Sequence, residues 1–476
     1  FDATAARQVK GVKHVVQVTN GVAVVADSFW TALKGRKALK VEWDEGRLAQ
    51  VSTAMIDREY AAAAKQPGEV ARNDGDAEKV LAAGKAIEAV YQVPYLEHAC
   101  MEPMNGTAQL TDSGITLWLP TQNPGGHQQL AARLTGLPVD KVVIHTTFLG
   151  GGFGRRSEPD FVTDAVDVAK AMKGTPVKTM WTREDDITHG FYRPATYNVF
   201  RAALDANGTP TAWMTRVVGP GILIQKNRAP AGTTVDPSAV EAVRNMPYDI
   251  PNLRIEWSNK DYGLPIGFWR SVGPSQNGFI IESFIDELAH AAKKDPYEYR
   301  RALLGKSPRH KAILEAVAQK AAWGTPLPAG RARGIAVVFS YGSYAATVAE
   351  VSVSADGTPV VHKLVTGIDA GLAVNPDQVR AQMEGGAVYA LTAMHYGKIT
   401  LDKGRVQQSN FHDYPMLRIN EMPVVDVVIL DSGHPAGGLG EPGVPSVAPA
   451  VTNAIFAATG KRVRTLPIDR AQLRRA

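Results

Sequence analysis

The 476-residue sequence predicts a mixed α+β fold with more than one domain. Strand-like and helix-like runs intermix without a strict strand–helix–strand rhythm, which speaks against a doubly wound parallel sheet. The length suffices for roughly three domains of ~150 residues. Apolar residues make up 45% and charged residues 21%, the balance of a globular chain with a large core. No run of about 18 apolar residues suggests a membrane-spanning helix. The formal charge of +5 is a mild excess that suits an anionic ligand. No alternation of basic and aromatic residues points to nucleic acid.

The elements follow in order. Residues 1–45 read as a helical start at Asp2–Val9, strands Val12–Val18 and Gly21–Ala26, a helix Phe29–Leu39 and a closing strand Lys40–Trp43. Residues 46–88 are polar and Ala-rich, with turns at Gln66-Pro67-Gly68 and Asn73-Asp74-Gly75-Asp76, and read as a linker. Strand Ile115–Leu119, helix His127–Leu134 and strand Val142–Phe148 lead into Gly150-Gly151-Gly152-Phe153-Gly154. Apolar residues Phe161, Ala165, Val168, Ala169 and Met172 then recur at helical spacing, and Gly174 closes that helix. Val177–Trp181 reads as a strand, and Tyr197–Leu204 with Thr211–Val218 as a hairpin turning at Asn207-Gly208. Residues 219–265 read as loop. Asn277–Lys293 reads as a helix buried on more than one side. Val337–Val353, Val360–Asp369 and Val424–Leu430 are later strands, with helices at Gln378–Leu391 and Val447–Ala458. The basic stretch from Lys461-Arg462-Val463-Arg464 to Arg474-Arg475 reads as a solvated tail.

Several segments could carry chemistry. Gly437-Gly438-Leu439-Gly440-Glu441-Pro442-Gly443 places one carboxylate among glycines and prolines before an apolar helix. Glu441 is either a positioned base or a solvated residue of a helix-entry loop. The Gly150–Gly154 run lacks the G-x-G-x-x-G spacing of a dinucleotide site. It is either a backbone cradle for an oxygen ligand at a helix N-terminus or a tight turn on a sheet. Gln122 either donates to an oxygen ligand or caps a helix. Arg270, in Gly267-Phe268-Trp269-Arg270-Ser271, either meets an anion or stacks on Trp269. His98 and Glu102 are spaced as two ligands one turn apart, yet Pro103 and the lack of a third ligand favour a structural pair. Cys100 is the single cysteine, so the chain alone builds no disulfide, four-cysteine zinc site or iron–sulfur cluster. No G-x-S-x-G elbow or P-loop supports a hydrolase or nucleotide triphosphatase.

Taken in order, Glu97–Pro103, Thr121–Pro124, Gly150–Arg156, Arg270–Gln276, Asp369–Gly386 and Gly438–Pro442 resemble the molybdopterin-binding subunit of the xanthine dehydrogenase / aldehyde oxidase family. The type they resemble is the isoquinoline 1-oxidoreductase β-subunit, similar to the large subunits of bacterial membrane-associated aldehyde dehydrogenases. The resemblance implies a multidomain molybdenum-hydroxylase large-subunit fold. Residues 1–45 would be the C-terminal part of an α/β hammerhead domain and 46–88 a linker. Molybdopterin-binding subdomains would span 89–235 and 236–476. It implies Glu441 as the base, with Gln122 touching an oxo ligand of molybdenum. Arg270 would lie in the same shell. Gly151, Gly152, Phe153, Gly154 and Arg155 would meet the cofactor through their backbone, together with Gln382, Gly438 and Gly440. No side chain would ligate the metal, which the cofactor's dithiolene holds. The implied activity is hydroxylation of an aldehyde or of a ring carbon beside nitrogen, with water as the oxygen source.

The resemblance further implies a molybdenum–molybdopterin cofactor, in its cytosine dinucleotide form, and a small 2Fe–2S partner subunit that takes two electrons. It implies a c-type cytochrome as a further partner, and a periplasmic location through those partners. The chain starts at Phe1 without Met, so an upstream segment, carrying the family's Gly-Gln-Gly cofactor motif and an export signal, is expected elsewhere or in another chain. Ser157 stands where xanthine enzymes carry a glutamate, and Val272 near where they carry an aromatic, which argues against a purine substrate.

Overall fold

The computed structural model describes residues 1–474, which divide into two compact units. The first comprises Phe1–Val51, His98–Phe191 and Leu401–Asn410. The second comprises Ser52–Glu97, Tyr192–Thr400 and the chain from Phe411 onward. The mixture of helices and sheets is the multidomain α+β fold that the sequence predicts. Among the described residues no helix is long and apolar enough to cross a membrane.

In the first unit, strands Val12–Val18 and Gly21–Ala26 form an antiparallel hairpin where the alternation predicts it. The helix Phe29–Ala38 starts at Ser28, whose hydroxyl accepts from the Thr31 amide. The closing strand expected at Lys40–Trp43 is reduced to one bridge, Asp2 to Lys40. A four-stranded sheet runs Val142–Thr146, Ile115–Leu119, Asn105–Leu110, Val177–Met180 in spatial order. Helices Pro124–Thr135 and Asp160–Ala171 cover it and close a core that includes Leu117, Leu119, Phe161, Val162 and Val166. Thr19 fastens the hairpin to the second of these helices, through its amide and hydroxyl on Asp167, at 2.8 and 2.6 Å.

The second unit holds a five-stranded sheet, in order Glu69–Asp74, Asn252–Asn259, Pro210–Gly219, Thr196–Leu204, Ile87–Val93. A four-stranded sheet follows, in order Arg331–Ser340, Ser343–Val353, Pro359–Asp369, Val424–Leu430. The helix Gly273–Ala291 packs on strands of both sheets, and every residue from Gly273 to Ala289 is buried. Its apolar residues point several ways, as a helix covered on all sides requires. Its acids are matched rather than exposed. Glu282 accepts from Arg300, Tyr248 and the Val337 amide. Asp286 pairs with Arg462 at 2.7 Å and Glu287 with Arg464 at 2.5 Å. The basic stretch is therefore not a free tail, because buried carboxylates draw two of its arginines inward. Arg475 lies outside the described residues.

Three further readings change. Residues 46–88 carry helices Thr53–Ala63 and Ala77–Ala83 around the edge strand Glu69–Asp74, whose polar sequence suits an edge and hid it as a linker. The loop 219–265 contains the strand Asn252–Asn259, paired in parallel with Pro210–Gly219. The single apolar run Val337–Val353 is a turn and two strands, because Tyr341 and Gly342 take positive φ (52° and 77°) and reverse the chain.

Candidate functional site

In the first unit the Gly150–Gly154 loop is folded onto two side chains. Glu102 accepts from the Gly150 amide at 2.8 Å and from Arg156 at 2.9 Å. Burial would raise Glu102, but the Gly150 amide, Asn105 and Arg156 outweigh it and hold the carboxyl below its usual range. The His98–Glu102 pair is thus no ligand pair, since Glu102 is committed to the loop. Gln122 accepts through Oε1 from the amides of Gly154 (3.1 Å) and Arg156 (3.3 Å). It does not cap the following helix; Asn123 does. With Oε1 taken, the side-chain NH₂ of this exposed residue is left as a donor. A Cβ on Gly152 would lie 2.4 Å from Gln122 Oε1, so glycine is required where the loop closes on the amide. The amides of Gly151 and Gly152 meet no acceptor among the described residues. Phe153 sits at φ 53°. Arg155 is fully buried, bidentate to Asp160 at 2.9 and 2.6 Å, and lies over Trp181 and Phe191. Its guanidinium holds the loop in place, and its amide donates to the Gly152 carbonyl at 2.8 Å, so the backbone donor expected of Arg155 is taken within the loop.

In the second unit the loop Gly437–Gly443 threads between the hairpin turn at Tyr341 and the helix Pro376–His395. The Gly438 amide donates to Tyr341 O at 2.7 Å, and Ser343 donates to Gly438 O at 2.6 Å. Arg270, buried, donates from Nε to Gly440 O at 2.8 Å and from Nη2 to Gln382 Oε1 at 2.9 Å. It lies over Tyr389, on whose ring Trp269 also stacks. Beside it, Ser271 and Val272 both take positive φ (78° and 48°). Two successive non-glycine residues in the left-handed region mark strain that surrounding contacts must hold. The turn aims two amides at two acids. Ser271 N–H donates to Glu441 Oε1 at 2.9 Å, and Gly273 N–H donates to Glu241 Oε2 at 3.1 Å. The Ser271 hydroxyl also holds the Glu441 carbonyl at 2.5 Å.

Burial raises the Glu441 carboxyl above its ordinary range, against the lowering effect of the Ser271 amide, Arg270 and Tyr341. Burial, chiefly, and the charges of Glu441 and Asp236 push Glu241 up to about 7, against the Gly273 amide. A half-buried carboxyl with a raised pKa, next to a fixed cation, is suited to taking up a proton.

The molybdopterin cofactor-binding domain family matches the chain twice, over residues 62–304 and 285–423. This chain belongs to the xanthine dehydrogenase family of molybdopterin-binding proteins. It is 31% identical to the isoquinoline 1-oxidoreductase subunit beta of Brevundimonas diminuta, over 98% of this chain and 62% of that protein. It is 31% identical to the membrane-bound aldehyde dehydrogenase (pyrroloquinoline-quinone) of Gluconacetobacter polyoxogenes, over 100% of this chain and 66% of that protein. The chain thus spans about two thirds, or slightly less, of the length of these curated relatives. The crystal structure of quinoline 2-oxidoreductase from Pseudomonas putida 86 has the same fold, with a TM-score of 0.81 at 15% identity, covering 99% of this chain and 91% of that one.

The residues present fit a molybdopterin cofactor. The donors left open in the first unit are amides of Gly151 and Gly152 and the Gln122 NH₂, all matched to oxygen ligands. In the second, a Cβ on Gly440 would meet nothing within 4 Å, and one on Gly385 only Arg270 at 4.0 Å, so the backbone beside Gln382 is open to a ligand. Among the described residues no group of three or more His, Cys, Asp and Glu could hold a metal ion.

The sequence reading named Glu441, Arg270, Gln382, Gly438 and Gly440, and the second unit brings these together. It named Gln122 and Gly151–Arg155, and the first unit brings these together. It missed Glu241 and Tyr341. Tyr341 lay inside an apparent strand; the Gly342 that follows it was the available turn signal. Nothing local to Glu241 announces it, since its partner amide is 32 positions later.

Proposed function

We propose that this chain is the catalytic molybdopterin subunit of an oxidoreductase that hydroxylates an electron-poor carbon, in an N-heteroaromatic ring or an aldehyde, with water as the oxygen source. The observation that carries the proposal is Glu441. It is a raised, half-buried carboxyl held by the Ser271 amide and flanked by Arg270. The net change replaces a C–H bond by C–O, with two electrons and two protons leaving. The cofactor, when bound, supplies the site that accepts the two electrons. Glu441 takes up a proton from the oxygen that attacks the substrate. Ser271 N–H holds Oε1 of Glu441 and so sets how the carboxyl is turned. Arg270 ties Gly440 to Gln382 and so holds the acid-bearing loop against the helix Pro376–His395. Gln122 NH₂ and the Gly151 and Gly152 amides would hold the cofactor's oxygen ligands, and Gln382 its pterin.

The finer proposals rest on the relatives and the sequence. Names such as "subunit beta" support a heteromeric complex. A single cysteine supports placing the 2Fe–2S centre in a partner chain, with a c-type cytochrome after it. We take the cofactor as the cytosine dinucleotide form and the setting as periplasmic, on the resemblance to the isoquinoline-oxidoreductase type. The test is a dye-linked assay of the assembled complex on a panel of azaarenes and aldehydes, with molybdenum measured in the same sample. Molybdenum near one per chain and dye reduction with one class are expected. A molybdenum-loaded complex that oxidises neither class, or an active complex without molybdenum, ends the proposal.

A further inference from the structure

We infer that Glu241 is a substrate-positioning residue whose carboxyl hydrogen-bonds the ring nitrogen of an N-heteroaromatic substrate beside Glu441, and that it favours azaarenes over aldehydes. The inference rests on the function proposed above and names its substrate class.

A cavity of about 330 Å³ is lined by Glu241, Ala242, Pro274, Ile281, Phe339 and Tyr341, among others. Its size is at the lower end of small-molecule sites, which run from ~300 to 1,000 Å³. Glu241 and Tyr341, on its wall, are also the two side chains that interact with Glu441 from that side. Glu441 itself is not a wall residue; Tyr341 and Glu241 connect the cavity wall to it. Its walls are largely apolar, which suits a flat ring.

Two acids line it, and they differ. Glu282 is saturated by Tyr248, Arg300 and the Val337 amide. Glu241 receives Gly273 N–H on Oε2, its one hydrogen-bond donor among the described residues, which leaves Oε1 for a ligand. The backbone next to it is strained, with Ala242 at φ 64°, and the Ser271–Val272 turn sets Glu241 and Glu441 from one short segment. A carboxyl can donate to the lone pair of a ring nitrogen when protonated and accept from a ring N–H when ionised. With Glu241 pushed up to about 7, both forms are present at neutral pH. An aldehyde offers no ring nitrogen and gains nothing from this contact.

The experiment compares Glu241→Leu with the unaltered chain in the assembled, molybdenum-loaded complex. Leucine is close in size to glutamate but offers the ring nitrogen no hydrogen-bond partner, whereas the NH₂ of Glu241→Gln could still donate to it and should preserve most of the quinoline affinity. Three readouts are taken: kcat and KM for quinoline and for benzaldehyde, the Kd of quinoline by calorimetry, and the melting temperature. Expected are a tenfold or larger fall in kcat/KM for quinoline, carried mainly by KM, and a matching rise in Kd. Benzaldehyde kcat/KM stays within twofold, and the melting temperature falls only slightly, through the lost Gly273 bond. Equal falls on both substrates, or an unchanged quinoline Kd, overturn the assignment. If the complex oxidises neither substrate, the proposed function fails, while the Kd comparison still decides Glu241: a weaker Kd in the variant supports it and an equal Kd refutes it. Glu241→Asp, which shortens the reach but keeps the acid, is expected to regain part of the lost quinoline affinity.

Discussion

The Gly150–Gly154 loop of the first unit and the Gly437–Gly443 loop of the second both use glycine to bring backbone against a polar side chain. They leave opposite groups available. In the first, Glu102 and Gln122 absorb the loop's own hydrogen-bonding groups, and the remainder is a set of unmatched donors. The carboxylate it folds onto, Glu102, is lowered and tied to Arg156. In the second, the surroundings grip the loop by its carbonyls, through Arg270, Ser271 and Ser343. Its carboxylate is left with a raised pKa. The same residue type thus builds a donor surface in one place and a mounting for an acid in the other. What decides is the company of the carboxylate: the Gly150 amide, Asn105 and Arg156 hold Glu102 down, whereas burial prevails at Glu441.

Glu441→Gln is the strongest way to break that contrast. Loss of a general base typically costs ~10²–10⁴ in rate, so turnover should fall by at least that much while molybdenum stays bound. Near-normal kcat in a molybdenum-replete variant would remove Glu441 from the reaction. Gly152→Ala attacks the other loop. Its Cβ would lie 2.4 Å from Gln122 Oε1, so the amide or the loop must move. Molybdenum per chain is expected to fall by roughly tenfold with turnover per molybdenum little changed, as befits a residue that holds rather than reacts. Full occupancy in Gly152→Ala would mean the donor surface tolerates displacement and the contrast is overdrawn.

Much of this was legible in one sequence. The strands Val12–Val18, Gly21–Ala26 and Val424–Leu430 were read to the residue, because alternation or an apolar run between turns states them locally. Glu441 and Gln122 stood out because glycine and proline crowd short segments around them. What stayed hidden depends on distant pairing. Glu69–Asp74 and Asn252–Asn259 have strand character only beside their sheet neighbours. Glu241 gains meaning only from the Gly273 amide, which a strained turn delivers. The arginines near the C-terminus looked solvated because the acids they meet, Asp286 and Glu287, lie on a helix far back in the chain.

Arg270→Met sharpens the electrostatic half of the comparison. Burial raises the Glu441 carboxyl and Arg270 is one of the groups that lower it, so removing the guanidinium raises it further. A base acts when ionised, so the acid limb of the kcat/KM profile moves to higher pH and activity is lost first at the acidic end. Saturating alkaline pH should recover part of the loss; the remainder reports the missing links to Gly440 and Gln382. An acid limb that stays in place would show that Arg270 acts only as a strut.

Ser271 separates the amide from the hydroxyl at the same residue, with the smallest expected effect. Ser271→Ala keeps the N–H that meets Glu441 Oε1 and deletes the hydroxyl bond to the Glu441 carbonyl. The stability loss should be about 1 kcal/mol, the usual net worth of one such bond, read as a lowered melting temperature. The acid limb should not move, because the group touching the carboxylate is unchanged. Ser271→Gly deletes the same bond but relieves a backbone at φ 78°, where glycine is not penalised, so it should be the more stable of the two variants. If Ser271→Ala instead shifts the acid limb as far as Arg270→Met does, the hydroxyl sets the position of the whole loop. The distinction between holding the backbone and tuning the acid would then fail at this residue.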